Sequence, residues 1–298
     1  VTPFLIERLR WSSEMAKATG HAAEAAEWAS AADKMARAFR RFHVAPPNGQ
    51  VPALAGDRLD PENPAAERGF SQAGQINGVL AGLLSREALE YALGPPDGRP
   101  PAGMTRWNNP TFAYRALKAL SENGMTERAL AHLVERYAPY LPGNPRNPVP
   151  PELQGPQGGP LPEYWVSRED LHLKPGDPNP AQPLDETGSH GWGAVPLLWM
   201  HESLLGVRIL VPGGARLRIA PDAGGLPFVA GQTRTPKGNV WVEWQPGKKR
   251  LDLEIPEGVT AEMPLLQLRP ESVPRLGVRR TKDAYLLSKP GKYVFVSK

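Results

Sequence analysis

The hydrophobic residues of this chain change their period at Gly206. Before it they recur at spacings of three and four; after it they alternate. Side chains share a helix face at the first spacing and a sheet face at the second, so the two stretches cannot be parts of one uniform layer. The chain is expected to place helices first and an antiparallel sheet structure second.

Within the first stretch the helical pattern comes in pairs. Phe4 to Thr19 reads as an amphipathic helix through Leu5, Leu9, Met15 and Ala18, stopped by Gly20. Ala22 to Phe42 follows, with Ala25, Trp28, Ala32, Met35 and Phe39 on one stripe. After a Pro/Asn/Gly-rich loop, Ser71-Gln72 opens a helix predicted to reach Leu84, and Arg86 to Leu93 forms another. Thr111 to Asn123 and Thr126 to Tyr137 make a third pair, with Asn123-Gly124 as the stop and Thr126 as the next N-cap. Gly193 to Leu205 is apolar on nearly every face and is expected to be buried.

Proline accounts for 35 of 298 residues, and much of it clusters between Ala138 and Asp185. A structureless stretch of that length inside a compact domain is usually functional or disordered. It contains Glu163-Tyr164-Trp165.

Beyond Gly206, Arg216 to Ile219, Val240 to Trp244 and Arg250 to Ile255 alternate charged or polar with apolar residues, as strands with one wet face do. Pro-Lys-Gly at 236–238, Gln-Pro-Gly at 245–247 and Pro-Glu-Gly at 256–258 supply turns at the spacing of an antiparallel β-sandwich. The domains expected are therefore 1–206, helical, and 207–298, β-sandwich.

Composition narrows the function classes. The formal charge of +4 is carried by dispersed basic residues with acidic neighbours, which argues against a nucleic-acid partner. The absence of cysteine removes disulfides, thiolate metal sites and a cysteine nucleophile, and suits a cytoplasmic or a secreted bacterial protein equally. His21, His43, His132, His172, His190 and His201 are scattered without metal spacing, so neither a metal nor another cofactor is expected. No apolar run is long enough to span a bilayer, and no membrane partner is expected. Gly188-Ser189-His190-Gly191 lacks the glycine spacing of a nucleophile elbow.

Three blocks resemble the bacterial α-L-rhamnosidases of glycoside hydrolase family 78. The first is Ala25-Ala26-Glu27-Trp28-Ala29 through Lys34-Met35-Ala36-Arg37-Ala38-Phe39, followed by Ser71-Gln72. The second is Pro162-Glu163-Tyr164-Trp165 and then Gly188-Ser189-His190-Gly191-Trp192-Gly193. The third runs from Leu205-Gly206-Val207-Arg208 through Val211-Pro212-Gly213, Ile219-Ala220-Pro221 and Thr235-Pro236-Lys237-Gly238 to Ile255-Pro256-Glu257-Gly258. The resemblance implies the C-terminal portion of an (α/α)6-type barrel of helical hairpins, followed by an antiparallel β-sandwich. Only about seven of the barrel's twelve helices can be read, so the earlier ones, with the family's general acid, are expected to lie outside these 298 residues.

The same resemblance implies that Glu163 is the general base of an inverting glycosidase and that Trp165 and His190 contact the sugar. Pro162 departs from the family's tryptophan at that place. An inverting enzyme needs two carboxyl groups ~6.5–9.5 Å apart, and Glu169, Asp170, Asp185 and Glu186 are further candidates for the second. Trp107 and Asn108, ahead of the Thr111 helix, are expected at the mouth of the barrel, with core packing the alternative for Trp107. Trp192 is either a sugar platform or core, and His190 equally a capping or packing residue. Trp28 and Trp199 are expected in the core.

The partner implied is a rhamnoside, with self-association through an incomplete barrel as a second expectation. Two alternatives remain: a catalytically silent carbohydrate-binding or structural fragment, and a six-hairpin glycosidase or lyase acting on another sugar.

Overall fold

A computed structural model describes residues 2–56, 69–94, 100–107, 109–145, 165 and 190–297. The chain divides into two compact units, residues 1–123 with 131–193 and residues 124–130 with 194–298.

The first unit is built on helical hairpins. Helix α1 (Thr2–Ala18) packs along α2 (Ala22–Phe42), and the Ser13 hydroxyl donates to the Ala25 carbonyl between them (2.7 Å). The expected stripe on α2 is found, with Ala25, Ala32, Ala36 and Phe39 buried and Trp28 and Met35 partly so. On α1 the expected face is corrected. Ile6, Ser13 and Ala16 are buried, whereas Leu5 and Met15 are exposed. Ser13 and Ala16 are small enough to let α2 approach, and Arg8 lays its guanidinium over the exposed Phe4 and Trp11 rings (4.4 and 4.5 Å). Size at the contact, rather than hydrophobicity, selected the face.

Two short ladders follow α2. β1 (Val44–Ala45) pairs antiparallel with β2 (Leu54–Ala55), and β3 (Phe70–Ser71) pairs parallel with β4 (Met104–Thr105). Helix α3 (Gln72–Leu80) opens on Ser71, whose hydroxyl accepts from Gly74 N–H (3.0 Å). It stops four residues before the expected Leu84. Gly82 takes φ +66°, and the N–H groups of Gly82 and Leu83 turn back to the carbonyls of Val79 and Gly78, closing the helix in a Schellman motif. Helices α4 (Arg86–Leu93), α5 (Thr111–Glu122) and α6 (Thr126–Tyr137) keep their expected starts. Thr126 is the first helical residue rather than a cap, because the Met125 carbonyl accepts the first helical bond, from Ala129.

Buried polar groups tie these helices together. Glu7 on α1 meets Arg115 on α5 (2.6 Å), and Arg115 also donates to the Asn77 side chain on α3 (2.6 Å). Gln72 and Gln75, both fully buried, act as backbone surrogates. Gln75 accepts from Ala55 N–H (2.7 Å) and donates to the Ala55 carbonyl (2.8 Å), fixing β2 against α3.

The second unit holds ten strands in two five-stranded sheets. One has the order β12 (Val278–Arg280), β13 (Ala284–Leu287), β10 (Thr260–Pro264), β6 (Arg216–Ile219), β5 (Val207–Ile209). The other has β11 (Leu268–Ser272), β14 (Gly291–Ser297), β9 (Arg250–Ile255), β8 (Gly238–Gln245), β7 (Val229–Thr235). Alternate residues point inward, among them Leu217, Ile219, Val240, Val242, Leu251, Leu253, Tyr293 and Phe295. The sheets meet through the Tyr285 and Phe295 rings (5.2 Å) and through the Tyr285 hydroxyl, which donates to the Leu268 carbonyl (3.0 Å).

The expected all-antiparallel arrangement is corrected at one place, since β6 and β10 run parallel. Between them the chain leaves for the other sheet, completes β7, β8 and β9, and returns in the direction of β6. Local alternation carries no trace of that return.

Before β5, a turn at Gly191–Ala194 leads into α7 (Pro196–Trp199), which widens to a π-turn at Met200–Leu204. Trp199 is fully buried, as expected. Burial on all faces is corrected: Leu197 and Leu198 are 57% and 50% exposed, because the helix lays one side, not its circumference, on its unit. Gly206 ends it at φ +68°, where a Cβ would stand 2.1 Å from the Ala220 carbonyl carbon.

Candidate functional site

The end of α6 carries a buried polar and aromatic cluster. Ala129, His132 and Arg136, spaced by three and four, all lie inside. Arg136 is 7% exposed, and its guanidinium stands 4.5 Å over the ring of Trp107, the residue that precedes α5 by a short loop. One Nη donates to the Trp107 carbonyl (3.0 Å). Trp107 is 5% exposed, and its N–H donates to the Gln72 side-chain oxygen (3.1 Å) while Gln72 donates to the Ala92 carbonyl (2.9 Å). Three helices thereby fix one tryptophan.

Arg136 has no ion-pair partner among the described residues. Burial pushes its guanidinium down to about 9, and the neighbouring Arg106 charge adds to the shift. It remains a cation at neutral pH, held at a desolvation cost that the nearby Glu135 charge offsets only in part. The next residue, Tyr137, has its hydroxyl pushed well above the ordinary tyrosine value by burial. Trp165 packs edge-on against the Tyr137 ring (4.7 Å) and tilted on Tyr140 (5.4 Å).

Four donors of this cluster are buried without a hydrogen-bond partner among the described residues: Trp107 Nε1, Arg136 Nε, the Tyr137 hydroxyl and Trp165 Nε1. Buried polar atoms are rarely left so, and each is an expense of about 1–3 kcal/mol. Chemically the cluster offers N–H and O–H groups beside flat rings.

Of the residues singled out in the sequence, Trp107 and Trp165 thus come to consecutive residues of α6. His190 and Trp192 form a second pair, their rings edge-on at 4.1 Å, with His190 half-buried and Trp192 exposed. The His190 carbonyl accepts from Gly193 N–H and so begins the turn. Glu163 and Asn108 lie outside the described residues, as do Glu169, Asp170, Asp185 and Glu186. Arg136, Tyr137 and Tyr140 were not singled out in the sequence. A signal existed: Arg136 continues the stripe of Ala129 and His132, a charge on an apolar face. Among the described residues no group of three His, Asp or Glu side chains could hold a metal, and no helix is long and apolar enough to cross a membrane.

Residues 206–278 match the family model described as the bacterial alpha-L-rhamnosidase C-terminal domain. Over the rest the likeness is one of fold. The chain superposes on the alpha-L-rhamnosidase of Dictyoglumus thermophilum with TM-score 0.64 and 15% identity, covering 99% of this chain and 31% of that one. For the Streptomyces avermitilis alpha-L-rhamnosidase complexed with L-rhamnose the values are 0.66 and 18%, covering 100% and 26%. For the glycoside hydrolase family 78 rhamnosidase of Bacillus sp. GL1 they are 0.62 and 21%, covering 88% and 26%. The chain therefore spans between a quarter and a third of the length of these relatives. No curated protein matches the sequence.

Proposed function

We propose that this chain is the C-terminal part of a glycoside hydrolase acting on terminal α-L-rhamnosides, with residues 1–206 the later hairpins of an (α/α)6-type barrel and 207–298 its sandwich. The observation that carries the reading is the rhamnosidase C-terminal domain at 206–278, continuous with a chain-long likeness in fold to alpha-L-rhamnosidases, one of them holding L-rhamnose.

Glu163 is the base that draws a proton from water as the water attacks the anomeric carbon with inversion, and a carboxylic acid from outside this chain protonates the leaving oxygen. Trp165, Trp107, Asn108, His190 and Trp192 are the residues proposed around the sugar. Within the helical unit, the four unpartnered donors support a ligand rich in oxygen acceptors. These atoms are screened from solvent, so a saccharide reaches them only as the covering side chains move aside.

The test is hydrolysis of an aryl α-L-rhamnoside by the purified chain. Wild-type turnover that falls about 10²- to 10⁴-fold in Glu163→Gln supports the role of Glu163. Equal turnover in the variant removes it.

A second reading is favoured by the share of the relatives that the chain spans: a saccharide-binding piece without turnover. Calorimetric binding of L-rhamnose with no hydrolysis by the wild type selects it. The exposed Leu5, Trp11 and Met15 of α1 support self-association, which gel filtration over a concentration series reads directly.

A further inference from the structure

The β1–β2 and β3–β4 ladders of the helical unit line a half-open cavity of about 700 Å³. It lies apart from the donors of α6, yet β4 begins only three residues before Trp107, and β3 runs into Gln72, which holds Trp107. We propose that this cavity binds a neutral, multi-ring aromatic group, and, resting on the rhamnosidase reading, that it receives the aglycone of an aryl rhamnoside.

The chemistry of the walls selects that ligand. Among the described residues, none of the thirteen that line it carries a charge, so an ionic ligand would lose its hydration without compensation from them. Among the described residues the only polar side chains in the lining are Asn48 and Tyr91. A sugar, with a hydroxyl on most carbons, would leave several hydrogen bonds unmade, whereas a phenol needs one partner. Tyr91 and Phe70 present half-buried ring faces, and Met104 adds a polarisable thioether that favours aromatic contact. The volume falls within the usual range of small-molecule sites, roughly 300–1,000 Å³, and holds more than one ring.

The walls are also rigid before any ligand arrives. Pro46, Pro52 and Pro101 have fixed φ, and Gln75 clamps both backbone groups of Ala55, next to the lining residue Leu54. Little conformational freedom is left to lose on binding.

The test titrates the full chain by calorimetry with 4-phenylphenol, with the charged 4-phenylbenzoate, and separately with L-rhamnose. 4-Phenylphenol should bind at least about tenfold more tightly than 4-phenylbenzoate. Ala102→Trp, which fills the cavity, and Tyr91→Ala, which removes a ring face, should each weaken 4-phenylphenol about tenfold while leaving L-rhamnose binding as in the wild type. In the wild type itself, 4-phenylphenol should shift the Met104 methyl resonance, a readout that needs no variant to fold. Equal binding of the two biphenyls, undiminished binding in both variants, or an unmoved Met104 methyl overturns the proposal. So does a concentration-dependent dimer that Ala102→Trp disperses, which would assign the cavity to a second copy. If 4-phenylphenol follows the cavity and L-rhamnose binds nowhere, the aromatic site stands and the rhamnosidase reading falls. If L-rhamnose binds and 4-phenylphenol does not, the reverse holds.

Discussion

Tyr285 and Tyr293 in the sandwich and Tyr137 in the helical unit place their hydroxyls differently. In the sandwich the Tyr285 hydroxyl donates to the Leu268 carbonyl, and the Tyr293 hydroxyl accepts from Lys289 N–H while donating to backbone carbonyls. In the helical unit the Tyr137 hydroxyl has no partner among the described residues, nor have the indole N–H groups of Trp107 and Trp165, and Arg136 makes no ion pair among them. Ser203 is the sandwich unit's one comparable side chain among the described residues. A region selected for stability satisfies its polar atoms, whereas unmet donors persist where something other than the fold requires them. The contrast agrees with the proposal that the helical unit, rather than the sandwich, meets the ligand.

The largest effect expected from breaking the contrast lies in the sandwich unit. Gly206→Ala forces a methyl group to within 2.1 Å of the Ala220 carbonyl carbon at a positive φ, and should destabilise by about 4 kcal/mol in urea unfolding. In the helical unit, Glu7→Ala leaves Arg115 uncompensated in a largely buried place and should cost about 3 kcal/mol by the same measurement. Were Glu7→Ala neutral, the helical unit would tolerate unmatched charge everywhere, and nothing would set Arg136 apart.

The sharper comparison is one substitution made twice. Tyr285→Phe removes a buried donor and strips the Leu268 carbonyl of it, at a cost of about 1–2 kcal/mol. Tyr137→Phe removes a hydroxyl that has no partner and should leave the unfolding midpoint unchanged or raised. Equal losses at both positions would mean that the Tyr137 hydroxyl is satisfied in solution, and the contrast would fail.

Much of the scaffold was legible and the reasons for the remainder are specific. Helices α2, α4 and α6 start and end where period, cap residues and turn glycines place them, because those signals are local. The buried face of α1 was misread because close approach chose Ser13 and Ala16 over the larger Leu5 and Met15. The parallel pairing of β6 with β10 depends on where forty residues of chain go in between, which no local pattern encodes. At the site, its place in the loop before α5 drew notice to Trp107, and the family resemblance drew it to Trp165. The helix end that joins them escaped notice, since Arg136 and Tyr137 read as the ordinary polar close of an amphipathic helix until the stripe through Ala129 and His132 is followed.

Arg136 gives the smallest and most discriminating stability effect. Replacing it with Met keeps much of the volume, forfeits the bond to the Trp107 carbonyl, and removes a buried, unpaired cation; the net change at pH 7 should lie between zero and a modest gain. The folded guanidinium is pushed down to about 9 from the ordinary arginine range well above it, so between the two the unfolded chain binds the proton and the folded one does not. Wild-type stability from this residue therefore rises with pH above about 9, and its cost is fully present below. The advantage of Arg136→Met over the wild type should accordingly shrink between pH 8 and pH 10, read as the difference in urea midpoints. A variant that is more stable at pH 8 yet has lost L-rhamnose binding would show that the cation is kept for a ligand. One that is less stable, with binding intact, would make Arg136 a strut of the fold and return the four donors to simple packing.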